Sequence, residues 1–398
     1  MDRRWIILCV LFLARTAMGF QFESIASVAP LLPASLSINY AEIGLLIGLY
    51  FLPGALISLP GGLFIQRFGD KTICAVGLCL MVGGGLLLGV SGNFATAFAG
   101  RLVSGTGAIL FNQVITKMAT DWFAGREIVF AMGVILASWP FGIAAGLIIQ
   151  PWLGMNFGWP AVMHMAAALC ALGLILVMLA YRSPPTKKAA APGHPAPAPS
   201  LALPPGEQIL PLTIAGAIWG GANIGLVLFF SFTPQLLQEF GFSPVASASL
   251  PSTALWIIMV SVPLGGYLIE RRGKADGAIM LCCGLSGLIL VLLSIGLWPP
   301  LLCAGFGAVM GLPAGAIMAL PARILRPADR AAGLGVFFTC YYALMAVGPA
   351  LAGWLQDHWH TAAAALLLAA ALFLVITPLL LLFNRLSGEP RPAAASLP

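Results

Sequence analysis

The sequence predicts an all-α membrane protein whose twelve transmembrane helices form two pseudo-symmetric six-helix bundles. Three observations predict it. Only 8% of the 398 residues are charged and 60% are hydrophobic, whereas a soluble domain carries about 25% charged residues to face water. Twelve apolar runs are each long enough to cross a hydrocarbon core, which takes about 20 residues of helix. A Pro/Ala-rich stretch divides those runs into six and six.

In chain order the spans are 5–30, 41–64, 72–91, 95–119, 128–152, 159–181, 209–233, 245–269, 276–297, 299–325, 331–355 and 361–384. Backbone polar groups cannot stay unpaired in lipid, so each span is read as a helix. Arg3, Arg4, the apolar run and Ala14–Gly19 imitate a cleavable leader. Eleven further spans follow, and the segment is read as the first of twelve. Glycine is abundant at 46 residues, in places at small-xxx-small spacing such as Gly142 and Gly146, which suits close helix contact. Pro53, Pro60, Pro140, Pro263, Pro313 and Gly348-Pro349 lie within spans and are expected to bend them.

Residues 182–208 are rich in Pro and Ala with no apolar period, the composition of a solvated linker. The expected organisation is a first bundle over 1–181, a cytoplasmic linker over 182–208, a second bundle over 209–384 and a cytoplasmic tail over 385–398. With the amino terminus in the cytoplasm, sixteen of the nineteen Lys and Arg residues fall in inner segments and none in outer loops. That bias fixes orientation by the positive-inside rule. The net charge of +6 is therefore an orientation signal in a cell inner membrane, with lipid as partner and no nucleic acid.

The chemistry of other classes is missing. The eight cysteines lie in apolar segments without metal or disulfide spacing, and read as packing residues with no cofactor implied. No HExxH, GxSxG, P-loop or paired in-membrane carboxylate is present. The chain is thus not read as an enzyme or an ATP-driven pump, and a receptor would normally present a folded soluble domain. The favoured reading is a carrier of a small solute, with a non-transporting membrane receptor as the alternative from another class.

One offset relates the halves. Gly62, Arg67 and Gly69 after the second span recur as Gly266, Arg271 and Gly273 after the eighth, each 204 residues on. The same offset pairs Pro30 with Pro234 and Arg126 with Arg330. Five coincidences at one offset read as a duplication, and parallel six-span repeats are the design of a rocking transporter with its site between the halves.

Both loops resemble the G-x-L-x-D-R-x-G-R-K motif of the major facilitator superfamily, and Arg101–Ala108 is similar to its R-x-x-x-G-x-G element. The resemblance covers about residues 5–385. It implies the major facilitator fold, alternating access, a gating role for Gly62, Arg67, Gly69, Gly266, Glu270, Arg271 and Gly273, and an influence of Arg101 on coupling. The wording of Ala14–Ser27 and Thr116–Glu127 resembles the cyanate-permease-type branch of small-anion carriers. There are departures. Gln66 stands at the acidic position of the first motif, whereas the second copy has Glu270. The antiporter Gly-Pro reads Trp139-Pro140, which leans against efflux by antiport, and the glycine-rich signature of nitrate porters is absent.

Arg15 is the sharpest candidate. It lies roughly 16 Å along a helix from Arg4, at a depth where an Arg costs about 2.5–3.5 kcal/mol on the lenient insertion scale. It either binds an anion in a wet cavity or ties helices together by an ion pair or by carbonyls. Glu23, about 80° round the same helix, is either a proton-coupling carboxyl in an apolar setting or an ionised group at the outer interface. Arg101 either serves coupling or snorkels outward. Lys117 with Asp121 reads as an i,i+4 pair, and His164 as interfacial. Asn112, Trp139, Trp219, Asn223 and Tyr341 are candidate walls by depth. The offset sets Trp219 opposite Arg15. One cation with amide and aromatic neighbours suits a small anion, carried by proton-coupled uptake, with antiport-type efflux of drugs or metabolites as the rival.

Overall fold

The computed structural model describes residues 3–58, 65, 67–123, 127–182, 205–325 and 330–387. Pro60, Gly62, Gln66, Arg126, the linker from 183 to 204 and the tail from 388 onward lie outside the described residues. Every regular element among the described residues is helical, and twelve of the helices are long and apolar enough to span a membrane. They are α1 (Arg3–Ser27), α2 (Tyr40–Ile57), α3 (Asp70–Gly89), α4 (Phe94–Phe123), α5 (Ile128–Phe157), α6 (Trp159–Ala180), α7 (Gly206–Glu239), α8 (Pro244–Arg272), α9 (Ala275–Ser294), α10 (Pro299–Arg323), α11 (Arg330–Trp359) and α12 (Ala363–Leu386).

Several ends differ from the sequence reading, for local reasons. α1 stops at Ser27, three residues early, because Pro30 forces a 3₁₀ turn over Ala29–Leu31. α4 and α5 run on to Phe123 and Phe157 and α7 occupies Gly206–Glu239, which makes Gly206, Glu207 and Gln208 helical where a linker was expected. Hydropathy ends a span at the first polar residues, but backbone hydrogen bonding continues past them. Prolines divide into two kinds. Near Pro53 and Pro313, α2 and α10 break into shorter helices. At Pro140, Pro263 and Pro349 the helix continues without interruption.

The packing follows the repeat. In the first bundle α1 packs on α5 and α6, and α3 on α4 and α6. In the second, α7 packs on α11 and α12, and α9 on α10 and α12. Adding six to each number of the first set gives the second. Between the bundles α2 meets α11 and α8 meets α5, which are also exchanged by the same operation. The repeated glycines have a backbone reason: Gly69 (φ +80°) begins α3 and Gly273 (φ +63°) ends α8, both in the region that favours glycine. Gly273→Ala is therefore expected to lower stability by about 1 kcal/mol. An unchanged melting midpoint in detergent would contradict that reading.

Two faces result. The helix ends at Arg4, Lys71, Lys117, Arg271, Arg323 and Arg385 share a basic face, and those at Asn39, Gly158, Gly241 and His360 share the opposite one. Toward the opposite face α2 and α11 nearly touch through backbone. A Cβ on Gly44 would lie 2.6 Å from the carbonyl carbon of Pro349, and one on Gly353 would lie 2.5 Å from that of Tyr40.

Candidate functional site

Halfway along α1, Arg15 is buried, with 9% of its surface exposed. Its Nε and Nη2 both donate to Oδ1 of Asn112 on α4, at 3.3 and 3.1 Å, and Nη1 donates to the backbone carbonyl of Ile135 on α5. The planar fork of a guanidinium suits this double reach. No carboxylate among the described residues lies within ion-pair distance of it. Arg15 therefore does tie three helices, as one of its two expected readings held. It does so without a counter-ion, and a buried charge balanced only by amide dipoles is costly. Tyr341 and Tyr342 of α11, in the other bundle, face the guanidinium closely enough to interact electrostatically with it.

These two tyrosines belong to a row of rings that crosses from bundle to bundle. Trp139 of α5 packs on Phe22 (5.3 Å between centroids), Phe22 on Phe51 (5.0 Å), Phe51 on Tyr342 (6.4 Å), Tyr342 on Tyr341 (4.7 Å) and Tyr341 on Trp219 of α7 (6.3 Å). Five residues singled out in the sequence, Arg15, Asn112, Trp139, Trp219 and Tyr341, are linked through these contacts. Asn223 differs in part: its Nδ2 donates to the carbonyl of Trp219 at 2.8 Å, so its donor is used within α7. Phe22, Phe51 and Tyr342 escaped the sequence reading. Only adjacency to Tyr341 marked Tyr342, and Phe51 lies at the break of α2, which an apolar run does not show.

Glu23 and Arg101 depart from their bland readings. Glu23 is fully buried (0% exposed), so it is no water-facing interface residue, and neither carboxyl oxygen has a hydrogen-bond partner among the described residues. It sits at the crossing of α1 with α5, where a Cβ on Gly146 would be 3.2 Å from its own Cβ. Arg101 does not snorkel. Its exposure is 0%, and it donates to the carbonyls of Leu46 (2.9 Å), Gln21 (3.0 Å) and Phe22 (2.6 Å) with Tyr50 beneath it at 4.5 Å. Three carbonyls from α1 and α2 make it a clamp.

On the basic face, Lys117 bonds Asp121 at 2.8 Å, as its spacing predicted, and also Asp70 of α3 at 2.6 Å. The second bundle repeats the device: Arg323 of α10 pairs with Asp276 of α9 at 2.8 Å, and Asn384 of α12 donates to Asp276. Asp70 and Asp276 stand 206 residues apart, so a gapless offset of 204 cannot align them. Of the gating motif, Arg67 lies over Phe68 and Arg271 over Tyr267. Glu270, Arg271 and Gly266 are exposed. Lys71 donates to the carbonyls of Met178 and Tyr181 at the end of α6, a cation where the helix dipole favours one. His164 is exposed, consistent with an interfacial place.

The opposite face holds a bond between bundles that the sequence did not announce. Asp357, near the end of α11, accepts from the backbone N–H of Tyr40 (3.0 Å) and of Ala41 (2.7 Å), the first two residues of α2. Asn39 and Glu42 complete the same helix start with a capping box. A carboxylate on unpaired N–H groups at the positive end of a helix is a favourable contact.

Comparison with known proteins bears on this arrangement. A sequence model described as the Major Facilitator Superfamily matches residues 11–318. The chain is 23% identical over 354 residues to the fosmidomycin resistance protein of Escherichia coli (strain K12), covering 84% of this chain and 82% of that one. Its structure is similar to that of the nucleoside transporter NupG, with a TM-score of 0.74 at 14% identity over 96% of this chain and 99% of the other. It is also similar to a bacterial homolog of the human lysosomal transporter Spinster, with a TM-score of 0.73 at 16% identity over 97% and 96% of the two chains.

Proposed function

This chain belongs to the major facilitator superfamily, and from that premise we propose that it carries a small anionic solute across the cell inner membrane by alternating access, coupled to protons. One observation carries the proposal: a buried guanidinium at mid-helix, facing the other bundle, with no carboxylate among the described residues beside it. An anion entering between the bundles would supply the missing charge, in a setting where charge-assisted bonds are strong. The wording shared with small-anion carriers near Ala14–Ser27 and Thr116–Glu127 supports the same reading. Glu23 is the proton site of this proposal. A closed core with no partner for either oxygen suits the neutral carboxyl, and opening to water suits the charged one.

The basic face is cytoplasmic in this reading, with both termini there. Asp357 of α11, bonded to the start of α2, is the latch that closes the outer side, and the Asp70–Lys117 and Asp276–Arg323 pairs stiffen each bundle so that it moves as a body. Arg67 and Arg271 of the repeated motif act on the rate of rocking. Asp357→Asn removes the charge and one acceptor, and the charge–helix contact is worth about 0.3–1 kcal/mol. The outer side is therefore expected to open more often by about two- to fivefold. Distances between spin labels at Ser35 and Trp359 report it, and an unchanged distribution would count against the latch.

Efflux is the second reading, favoured by similarity to a protein named for fosmidomycin resistance. Proteoliposomes separate the directions. Accumulation of a labelled small anion driven by acid outside is the expected result. Accumulation only with the reversed gradient would overturn uptake in favour of antiport, and no flux of any anion would sink the anionic cargo.

A further inference from the structure

Resting on the anion reading above, we infer that the site is built for a planar aromatic monocarboxylate, and not for a bare inorganic ion or a dianion. The charge count sets the first limit. Arg15 is the one guanidinium facing the second bundle among the described residues, and Arg101, the other buried one, has its donors on three carbonyls and its face on Tyr50. No Lys or Arg lies in the mid-span stretches of α7, α8, α10 or α11. A second negative charge would therefore be buried without a partner.

The walls set the second limit. The row from Trp139 through Phe22, Phe51, Tyr342 and Tyr341 to Trp219 crosses from one bundle to the other, its Tyr341 and Tyr342 face Arg15, and Trp139, Tyr341 and Trp219 are only partly buried. Ring faces carry negative potential and repel a bare anion, while ring edges and apolar area welcome another ring. A small inorganic ion would gain nothing from six rings and would lose its water. A carboxylate fixed to a flat ring meets both demands, the charge at Arg15 and the ring among rings. Tyr341 adds a donor: its hydroxyl has no hydrogen-bond partner among the described residues, so it is free to reach the second carboxylate oxygen.

The full chain in proteoliposomes tests this by competition against a labelled anion that it carries, with benzoate, cyclohexanecarboxylate, acetate, cyanate, terephthalate and benzamide as probes. Benzoate is expected to compete about tenfold more strongly than acetate or cyanate, the scale of one aromatic contact. Cyclohexanecarboxylate is expected to fall between, and terephthalate and benzamide to be weak. Trp139→Leu and Trp219→Leu should each erase most of the advantage of benzoate over acetate, and Tyr341→Phe keeps the ring while removing the hydroxyl. Acetate or cyanate competing as well as benzoate overturns the aromatic site but leaves the anion reading standing. Cyclohexanecarboxylate equal to benzoate does the same, since apolar bulk alone then suffices. Benzamide equal to benzoate overturns both together.

Discussion

Arg15→Ala is expected to abolish anion transport while the protein still inserts and folds. The side chain makes three hydrogen bonds, to Asn112 and the carbonyl of Ile135, and no ion pair among the described residues. Removing it leaves an amide and a carbonyl that water in an open site can satisfy, so the loss of stability is modest. The loss of binding is not. A hydrogen bond to a charged group contributes about 1.5–3 kcal/mol, and each 1.4 kcal/mol is about tenfold in affinity. One lost contact thus costs roughly ten- to a hundredfold, before the loss of the central charge itself is counted. Arg15→Lys keeps the charge but cannot hold Asn112 and Ile135 in one plane, so an intermediate loss is expected. Flux and melting temperature, measured together, separate binding from scaffolding. Wild-type flux in the alanine variant would falsify the anion site, and unfolding of both variants would show that Arg15 serves mainly as a tie between α1, α4 and α5.

Glu23→Gln is expected to remove the dependence on a pH gradient while solute exchange continues. The substitution keeps shape and fixes a neutral group at a position where both oxygens lack hydrogen-bond partners among the described residues and exposure is 0%. In a symporter the carboxyl loads a proton on the acidic side together with the anion and releases it on the other. Uptake by the native chain should therefore rise as the outer side is made more acidic. The Gln variant should show a flat profile, with counterflow of labelled against unlabelled solute preserved. A retained response to the gradient moves the proton site elsewhere, and loss of counterflow as well assigns Glu23 to the α1–α5 crossing instead. Arg101 stands near enough to act electrostatically on Glu23, so Arg101→Gln is expected to disturb the same profile while also loosening the clamp on α1 and α2.

How much of this was legible beforehand differs residue by residue. Gly69 and Gly273 were found as a bare repeat, and the fold supplies the cause, a positive φ at each. Arg15 was found because a charge at mid-depth is expensive in lipid, an energy that depends on position along the helix alone. Trp219 and Tyr341 were found by the same depth rule, yet their mutual contact and the facing of Tyr341 to Arg15 depend on how α7 and α11 rotate about their axes. Apolar spans carry almost no periodic signal for that rotation, because the lipid-facing and core-facing sides are both hydrophobic. Asp357 was invisible for a related reason: its partners are backbone N–H groups, which every residue but proline has.

Apolar length, charge placement and a constant offset, all read along one chain, were enough to set the solvent, the number of spans and their duplication. Which of the scattered polar groups meet was left to the packing of the helices. That packing put Arg101 among carbonyls, left both Glu23 oxygens without a hydrogen bond among the described residues and set Arg15 before the rings of the other bundle. The physical reason is that burial in lipid is a one-dimensional property of the chain, whereas partnership requires two helices to present chosen faces to each other.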